Sequence, residues 1–515
     1  MIFIVVYCLL MLIVFVYNKS GYNYAFFKSK GKVSWMISGL SLYMFYLSAD
    51  QGQFIMGLIA EHGMSGLWMV WAGIIGSFVV PIVFAPLWQK LDFITDNQFL
   101  LFRFPGKSGK FLHVFRAVYV GGLVVALSLC FHVIGFSRII EVFFNLDNTT
   151  AIWITAGVLC VFGLKNVFDI KLKMDAFHAV IFFISLAIVL YYLVNQMSGF
   201  QEFYSFFDRN PEKRYLLPKN ENDIEWFSFV VFIGIQWWSC YLFDGGGPEM
   251  ARFTAVKGQK NAMWTGLLPI GISFIIGFLV IGHILILLGL TDQSLNPELQ
   301  YVAGVFSIVP SVFHGIVFLG FFGMFITTAS SLLNWGASFL TVDVYKGYLK
   351  INSDGNNLKF VTYGSMVLLS LISLFFALNI DSLQSLVKIT FSVAAGVAPV
   401  FILRWIWFRI NAWSQLSAMF SSAIFTLIYP YYHKYLPLSE FPESESRIVI
   451  VTILTSIVWI IITFLTTNQS EVVKMKMLPI IESRLSFFKR FIVSISLGVS
   501  LLFLTILIWY LLLNC

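Results

Sequence analysis

Charge is scarce in this 515-residue chain: Asp, Glu, Lys and Arg make up 11% of it, against 59% hydrophobic residues. With a mean hydropathy of +0.84, that balance excludes a soluble globular domain and indicates an all-α polytopic membrane protein. Cysteine is sparse as well. Cys8, Cys130, Cys160, Cys240 and Cys515 have no paired spacing, which excludes a disulfide framework or thiolate metal site and leaves small buried hydrophobes. Long polar segments are missing: the longest loops, 88–111, 197–223 and 467–488, are each too short to bury a core. No phosphate-binding glycine loop, zinc signature or nucleophile elbow occurs. Gly245-Gly246-Gly247-Pro248 lacks the preceding strand and the Lys-Ser/Thr ending, and reads as a break between helix and loop. The start has neither a basic n-region nor a small-residue cleavage site, so its first apolar run is expected to be a signal anchor with the N-terminus outside.

Apolar runs are what the chain has in abundance. About fourteen are long enough to cross a bilayer. They lie near 2–17, 34–61, 64–87, 112–143, 150–166, 174–196, 224–243, 262–290, 312–346, 360–379, 382–408, 412–433, 447–466 and 489–512. With the N-terminus outside, 25 of the 33 Lys and Arg fall in inner loops, Lys171, Arg252 and Arg404 among them, and the outer loop 291–311 has neither. The positive-inside rule therefore places both termini outside. The net charge of +7 reports topology and not a nucleic-acid partner.

Polar residues inside these runs mark the functional region. Thr327, Ser330 and Ser331 share one face of the 312–346 helix, with Thr328 beside them. Hydrocarbon gives hydroxyls no partner, so they face either a cavity fit for a small hard cation or their own i−4 carbonyls. Run 34–61 is interrupted by Ser48-Ala-Asp50-Gln51-Gly52, which reads as an unwound, cavity-lining segment or as a kink with Asp50 capping a half-helix. Run 224–243 carries Gln236, Trp237, Trp238 and Ser239 before its glycine break, the chemistry of a pocket wall or of a membrane interface. These are the second and seventh runs. Five-helix units opening at each would enter the membrane from opposite sides, the arithmetic of an inverted repeat.

Several blocks, in order, resemble the sodium/solute symporter family. Ser48-Ala-Asp-Gln51 is similar to its broken first core helix, and Asp96-Asn-Gln-Phe-Leu-Leu-Phe-Arg-Phe104 to its Pro-Glu-Phe-Leu-x-x-Arg-Phe segment without the Pro-Glu. Gly163-Leu-Lys-Asn-Val with Met174-Asp-Ala-Phe-His178, Arg252-Phe-Thr-Ala-Val-Lys-Gly-Gln-Lys260, and Leu333-Asn with Asp343-Val-Tyr-Lys346 resemble further family blocks. Arg404-Trp-Ile-Trp-Phe-Arg-Ile-Asn-Ala-Trp-Ser414 is close to the signature of a bacterial branch. The resemblance covers about residues 34 to 415.

It implies a LeuT-type core of two inverted five-helix repeats, 34–223 and 224–411, after an N-terminal helix and basic loop (1–33) and before three extra helices (412–515). It implies sodium as the coupling ion with no other cofactor, held by the hydroxyls of Thr327 and Thr328 and by carbonyls near Met44, Leu47 and Met324. A second sodium is implied at Asp175, Thr327, Ser330 and Ser331, although Asp175 also suits a solvated helix start. The partners are sodium, the bilayer and a small polar solute, bound by Asp50, Gln51, Gln236, Trp237, Trp238 and Ser239. A sugar or sugar acid is the first expectation, an amino acid the second. Arg138 and Lys388 could meet an anion or snorkel to the interface. The setting is a bacterial plasma membrane. An embedded acyltransferase would need a buried His with a polar partner, which the scattered His132, His178, His283 and His314 are not expected to have. A sensor would carry an appended signalling domain, and the segment after 412 has only apolar spans.

Overall fold

The computed structural model describes Tyr7 and residues 26–514, apart from positions 30, 92, 164–167, 198–200, 219–222, 241–242, 291–295, 350–354, 381–382 and 437; side chains 201–202, 223–224 and 383–386 are also outside the description. The expected first span, 2–17, therefore lies outside it except for Tyr7, as do the 164–167 part of one family block and part of loop 291–311. Among the described residues every regular element is helical. Among those residues eight helical stretches are long and apolar enough to cross a membrane.

Helix α1 (Trp35–Tyr46) starts where the Ser34 hydroxyl accepts the Ile37 amide, and stops at an extended Leu47. Helix α2 (Gln51–His62) follows after four residues. At 12 residues each, either half is about 18 Å long, short of a bilayer's ~30 Å. The expected interruption of the 34–61 run is thus a true break. Downstream come α3 (Val125–Phe144) and α4 (Phe168–Gln196). A second break separates helix Asp223–Gly234 and the tight turn Gln236–Trp238 from α5 (Gly247–Ala255). Gly245 and Gly247 have φ of 69° and 57°, and Pro248 opens the new helix with a residue that lacks an amide proton.

Helix α6 (Gln259–Leu290) and α7 (His314–Ser338) complete the centre, with α7 running on as a wider coil over Phe339–Leu349. The most apolar window of the α7 stretch is 94% buried. Its hydroxyls therefore meet protein and not lipid. It packs against α1, α3 and α4, and α1 packs in turn on α4 and α6. Helix α8 (Leu383–Leu403) packs with helices Ala412–Tyr432 and Glu443–Leu465, while α9 (Arg484–Asn514) lies along residues 72–84. Gly498 makes that last contact possible, because a Cβ there would sit 2.1 Å from the Ile75 carbonyl oxygen.

Lys171, Arg252 and Arg404, assigned above to inner loops, are no more than 1% exposed, and Arg103 and Arg116 no more than 2%. Arg116 pairs with Asp96 at 2.7 Å and Arg404 with Asp244 at 2.5 Å, and Arg103 Nε donates to the Arg404 carbonyl. Within the bacterial-branch signature, Trp405 Nε1 also donates to Asp244. That segment fastens α8 to the second broken helix.

Candidate ion and solute sites

Met44 and Phe45 lie in the last turn of α1, where a helix leaves carbonyls without backbone donors and carries its negative dipole end. The Thr328 hydroxyl, on α7, is 3.3 Å from both of those carbonyl oxygens and 3.1 Å from that of Met324. One hydroxyl proton cannot satisfy three acceptors, so the spot has surplus lone pairs at the broken end of a helix. Thr328, Met44 and Met324 thus come together as expected from the family pattern, and Phe45 joins them. Leu47 lines the neighbouring cavity. Thr327 turns elsewhere: its Oγ1 is 3.1 Å from His178 Nδ1, whose Nε2 is 2.7 Å from the Tyr7 hydroxyl. Successive helical residues point about 100° apart, which sends the two threonines to α4 and α1 respectively.

Asp175, Ser330 and Ser331 are all buried around the same stretch of α7, together with two cations, Lys171 and Arg252. Asp175 Oδ2 accepts from Ser41 at 2.6 Å and Lys171 Nζ at 2.8 Å, with Arg252 Nη2 at 3.3 Å. Ser330 and Ser331 both bond back to the Thr327 carbonyl, at 3.3 and 2.6 Å. Asp175 is 2% exposed, so the solvated helix-start reading does not hold.

A cavity of about 410 Å³ lies beside the first break, lined by Tyr46, Gln51, Trp71, Trp237, Glu249 and Trp509 among others. Glu249 is 5% exposed and its Oε2 has no hydrogen-bond partner; Gln51 Oε1 is likewise buried and unpartnered. Among the described residues no Lys, Arg or His lines this space. Of the six expected pocket residues only Gln51 and Trp237 reach it. Asp50 caps nothing and instead meets His132 Nδ1 at 3.0 Å. Gln236 donates to the Met69 carbonyl, Trp238 to that of Gly234 and Ser239 to that of Ile235. Trp238 and Ser239 satisfy the backbone one turn back, whereas Gln236 reaches across to a separate segment. Glu249 was missed, although a carboxylate one residue past Pro248 in apolar surroundings was the available signal. His132 and His178 do have polar partners, contrary to expectation. Arg138 pairs with Glu298 and is not free for an anion, and Lys388 is half-buried.

Broken helices crossing beside a buried oxygen-rich spot and a cavity define a secondary transporter, with sodium as its coupling ion. The chain belongs to the sodium:solute symporter family, whose model matches residues 26–422. It is 23% identical over 439 residues to an osmoregulated proline transporter of Bacillus subtilis, covering 79% of this chain and 85% of the relative. It is 21% identical over 411 residues to a sodium/proline symporter of Salmonella typhimurium, covering 77% and 78%. In fold it resembles a sodium-coupled sialic acid symporter solved in a substrate-bound outward-open state, with a TM-score of 0.71 at 15% identity over 90% of this chain and 97% of that one. These relatives are transporters and not enzymes, which sets the acyltransferase reading aside despite its paired histidines.

Proposed function

We propose that this chain imports a small ammonium-bearing solute, an amino acid first, by sodium-coupled alternating access. The carrying observation is the convergence of the Met44, Phe45 and Met324 carbonyls on the Thr328 hydroxyl. A sodium ion there would satisfy all three oxygens at once, with Thr328 Oγ1 as a fourth ligand. Because the site joins the end of α1 to α7, occupancy favours one arrangement of the two and so couples ion binding to the shape of the cavity.

The cargo reading rests on Glu249. The Tyr46 hydroxyl and Arg252 bear on this carboxylate, but its Oε2 has no hydrogen-bond partner, and such an oxygen in an aromatic-walled cavity matches an ammonium group, which the ring faces also attract. A carboxylate on the same solute would meet the positive end of α2 at Gln51. A sugar would bring no positive charge to Oε2, and a sugar acid would add a second negative charge. The naming of the bacterial relatives for proline agrees with the amino-acid reading. The two breaks, each opening a five-helix unit, support inverted repeats over 34–223 and 224–411. Loop charge supports a bacterial plasma membrane protein with both termini outside.

Proteoliposomes given an inward sodium gradient test the proposal with labelled L-proline, N-acetylneuraminate and galactose. Proline accumulation that collapses when potassium replaces sodium is expected. Uptake of the sugar acid alone would overturn the cargo reading, and sodium-independent uptake of every solute would overturn the coupling.

A further inference from the structure

The Asp175 cluster is organised around two cations of the chain itself. Lys171 lies one turn before Asp175 on α4, which brings its ammonium to Oδ2 at 2.8 Å and to the Thr327 carbonyl at 3.3 Å. Arg252 comes from α5 on the other side. Its Nη2 lies 3.3 Å from Asp175 Oδ2 and donates to Ser331 Oγ at 2.9 Å, its Nε donates to Ser41 Oγ at 2.9 Å, and its Nη1 to the Pro248 carbonyl at 3.0 Å. Both cations are no more than 1% exposed.

We infer that Lys171 and Arg252 act as tethered cations that fill the Asp175–Ser331 position where a second sodium would otherwise bind, so that transport is coupled to sodium at the Thr328 site alone. Charge argues for it: one carboxylate already faces two positive groups, and a sodium ion would make a third in a place buried from bulk solvent. Ligand supply argues for it too. The Thr327 carbonyl, Asp175 Oδ2 and the Ser41 and Ser331 hydroxyl oxygens that could coordinate an ion already serve Nζ or the guanidinium. The tether has a mechanical side. Through Ser41 and Arg252 it joins α1 and α5, the inner halves of the two broken helices as the charge count orients them, to α4 and α7. A diffusible ion at that junction would come and go each cycle, whereas a side chain holds it permanently.

The inference rests on the sodium-symport reading, and equilibrium binding of ²²Na to the purified full-length chain separates the two. One sodium per wild-type chain is expected. Its affinity should fall at least tenfold in Thr328→Ala and shift by less than threefold in Asp175→Asn. Two sodium ions per wild-type chain would overturn the tethered-cation inference and leave symport standing. No sodium binding would overturn both. A single sodium lost in Asp175→Asn and kept in Thr328→Ala would put the ion in the cluster and overturn the inference as well. Should Asp175→Asn fail to fold, the wild-type stoichiometry and the Thr328→Ala arm still decide between these outcomes.

Discussion

Gly135 on α3 lies so close to Asp50 that a Cβ added to it would stand 2.3 Å from the aspartate's own Cβ. The unwound link between α1 and α2 is therefore seated directly on helix backbone. Gln53 reinforces the seat by donating to the Gly135 carbonyl at 2.8 Å. Gly135→Ala should push the link away at about 1–3 kcal/mol of overpacking, and weaken sodium binding through the displaced α1 carbonyls. A sodium titration of tryptophan fluorescence reads the effect, and an unchanged midpoint would show that the link has slack.

Thr328 and Thr327 should behave differently despite being neighbours. Thr328→Val keeps the shape and removes the oxygen, so apparent sodium affinity should fall at least tenfold, about 1.4 kcal/mol, while Thr328→Ser retains it. Thr327→Val removes a hydroxyl that meets His178 and should change sodium affinity less. Equal losses in the two valine variants would return Thr327 to the ion's own shell.

Glu249→Gln should abolish uptake of ammonium-bearing solutes while sodium binding stays within a few-fold of the wild type. Competition against labelled L-proline measures the first and fluorescence titration the second. Trp237→Ala should broaden the set of competing solutes, because an aromatic wall excludes by shape. Proline uptake undiminished in Glu249→Gln would remove the carboxylate from cargo recognition.

The Arg404–Asp244 pair is fully enclosed, with side chains 1% and 2% exposed. Asp244→Asn leaves a buried guanidinium without its counter-charge, and removing one member of such a pair costs about 3–5 kcal/mol. A marked fall in the unfolding midpoint in detergent is expected, larger than that of the fluorescence-silent control Lys474→Ala, whose side chain is half exposed.

Orientation can be checked with reporter fusions. Position 480 should report inside and position 210 outside, since the basic segments 474–490 and 252–260 fall on the same side of the count. The opposite pattern would invert both repeats.

Hydropathy alone made most of the architecture legible, because a bilayer demands long apolar runs wherever the chain crosses it. The first break could be read from Ser48 to Gln51, as those residues have no place in hydrocarbon. The family pattern pointed to Thr328, Met44 and Met324, and the fold brings both methionine carbonyls within 3.3 Å of the Thr328 hydroxyl. Sequence could not say which of two adjacent threonines faces α1, since that depends on how α7 is rotated against its neighbours. Nor could it place Lys171 and Arg252. Long cationic side chains near a span's end reach either outward to water or inward to a carboxylate, and only the partner's position decides. Trp238 and Ser239 were chosen for polarity at the right depth, but each was already satisfied by the backbone one turn back.

One wall of the cavity proposed to hold the solute comes from α9, through Leu501, Thr505 and Trp509, with Trp509 stacked on Phe278 at 5.5 Å. The family match ends at residue 422, so this wall belongs to a part of the chain that the shared core does not define. A cargo deduced by aligning core helices with a relative is therefore deduced from an incomplete room. Exchanging α9 between family members that possess an equivalent helix is a direct way to re-engineer selectivity while leaving the ion-coupling machinery untouched.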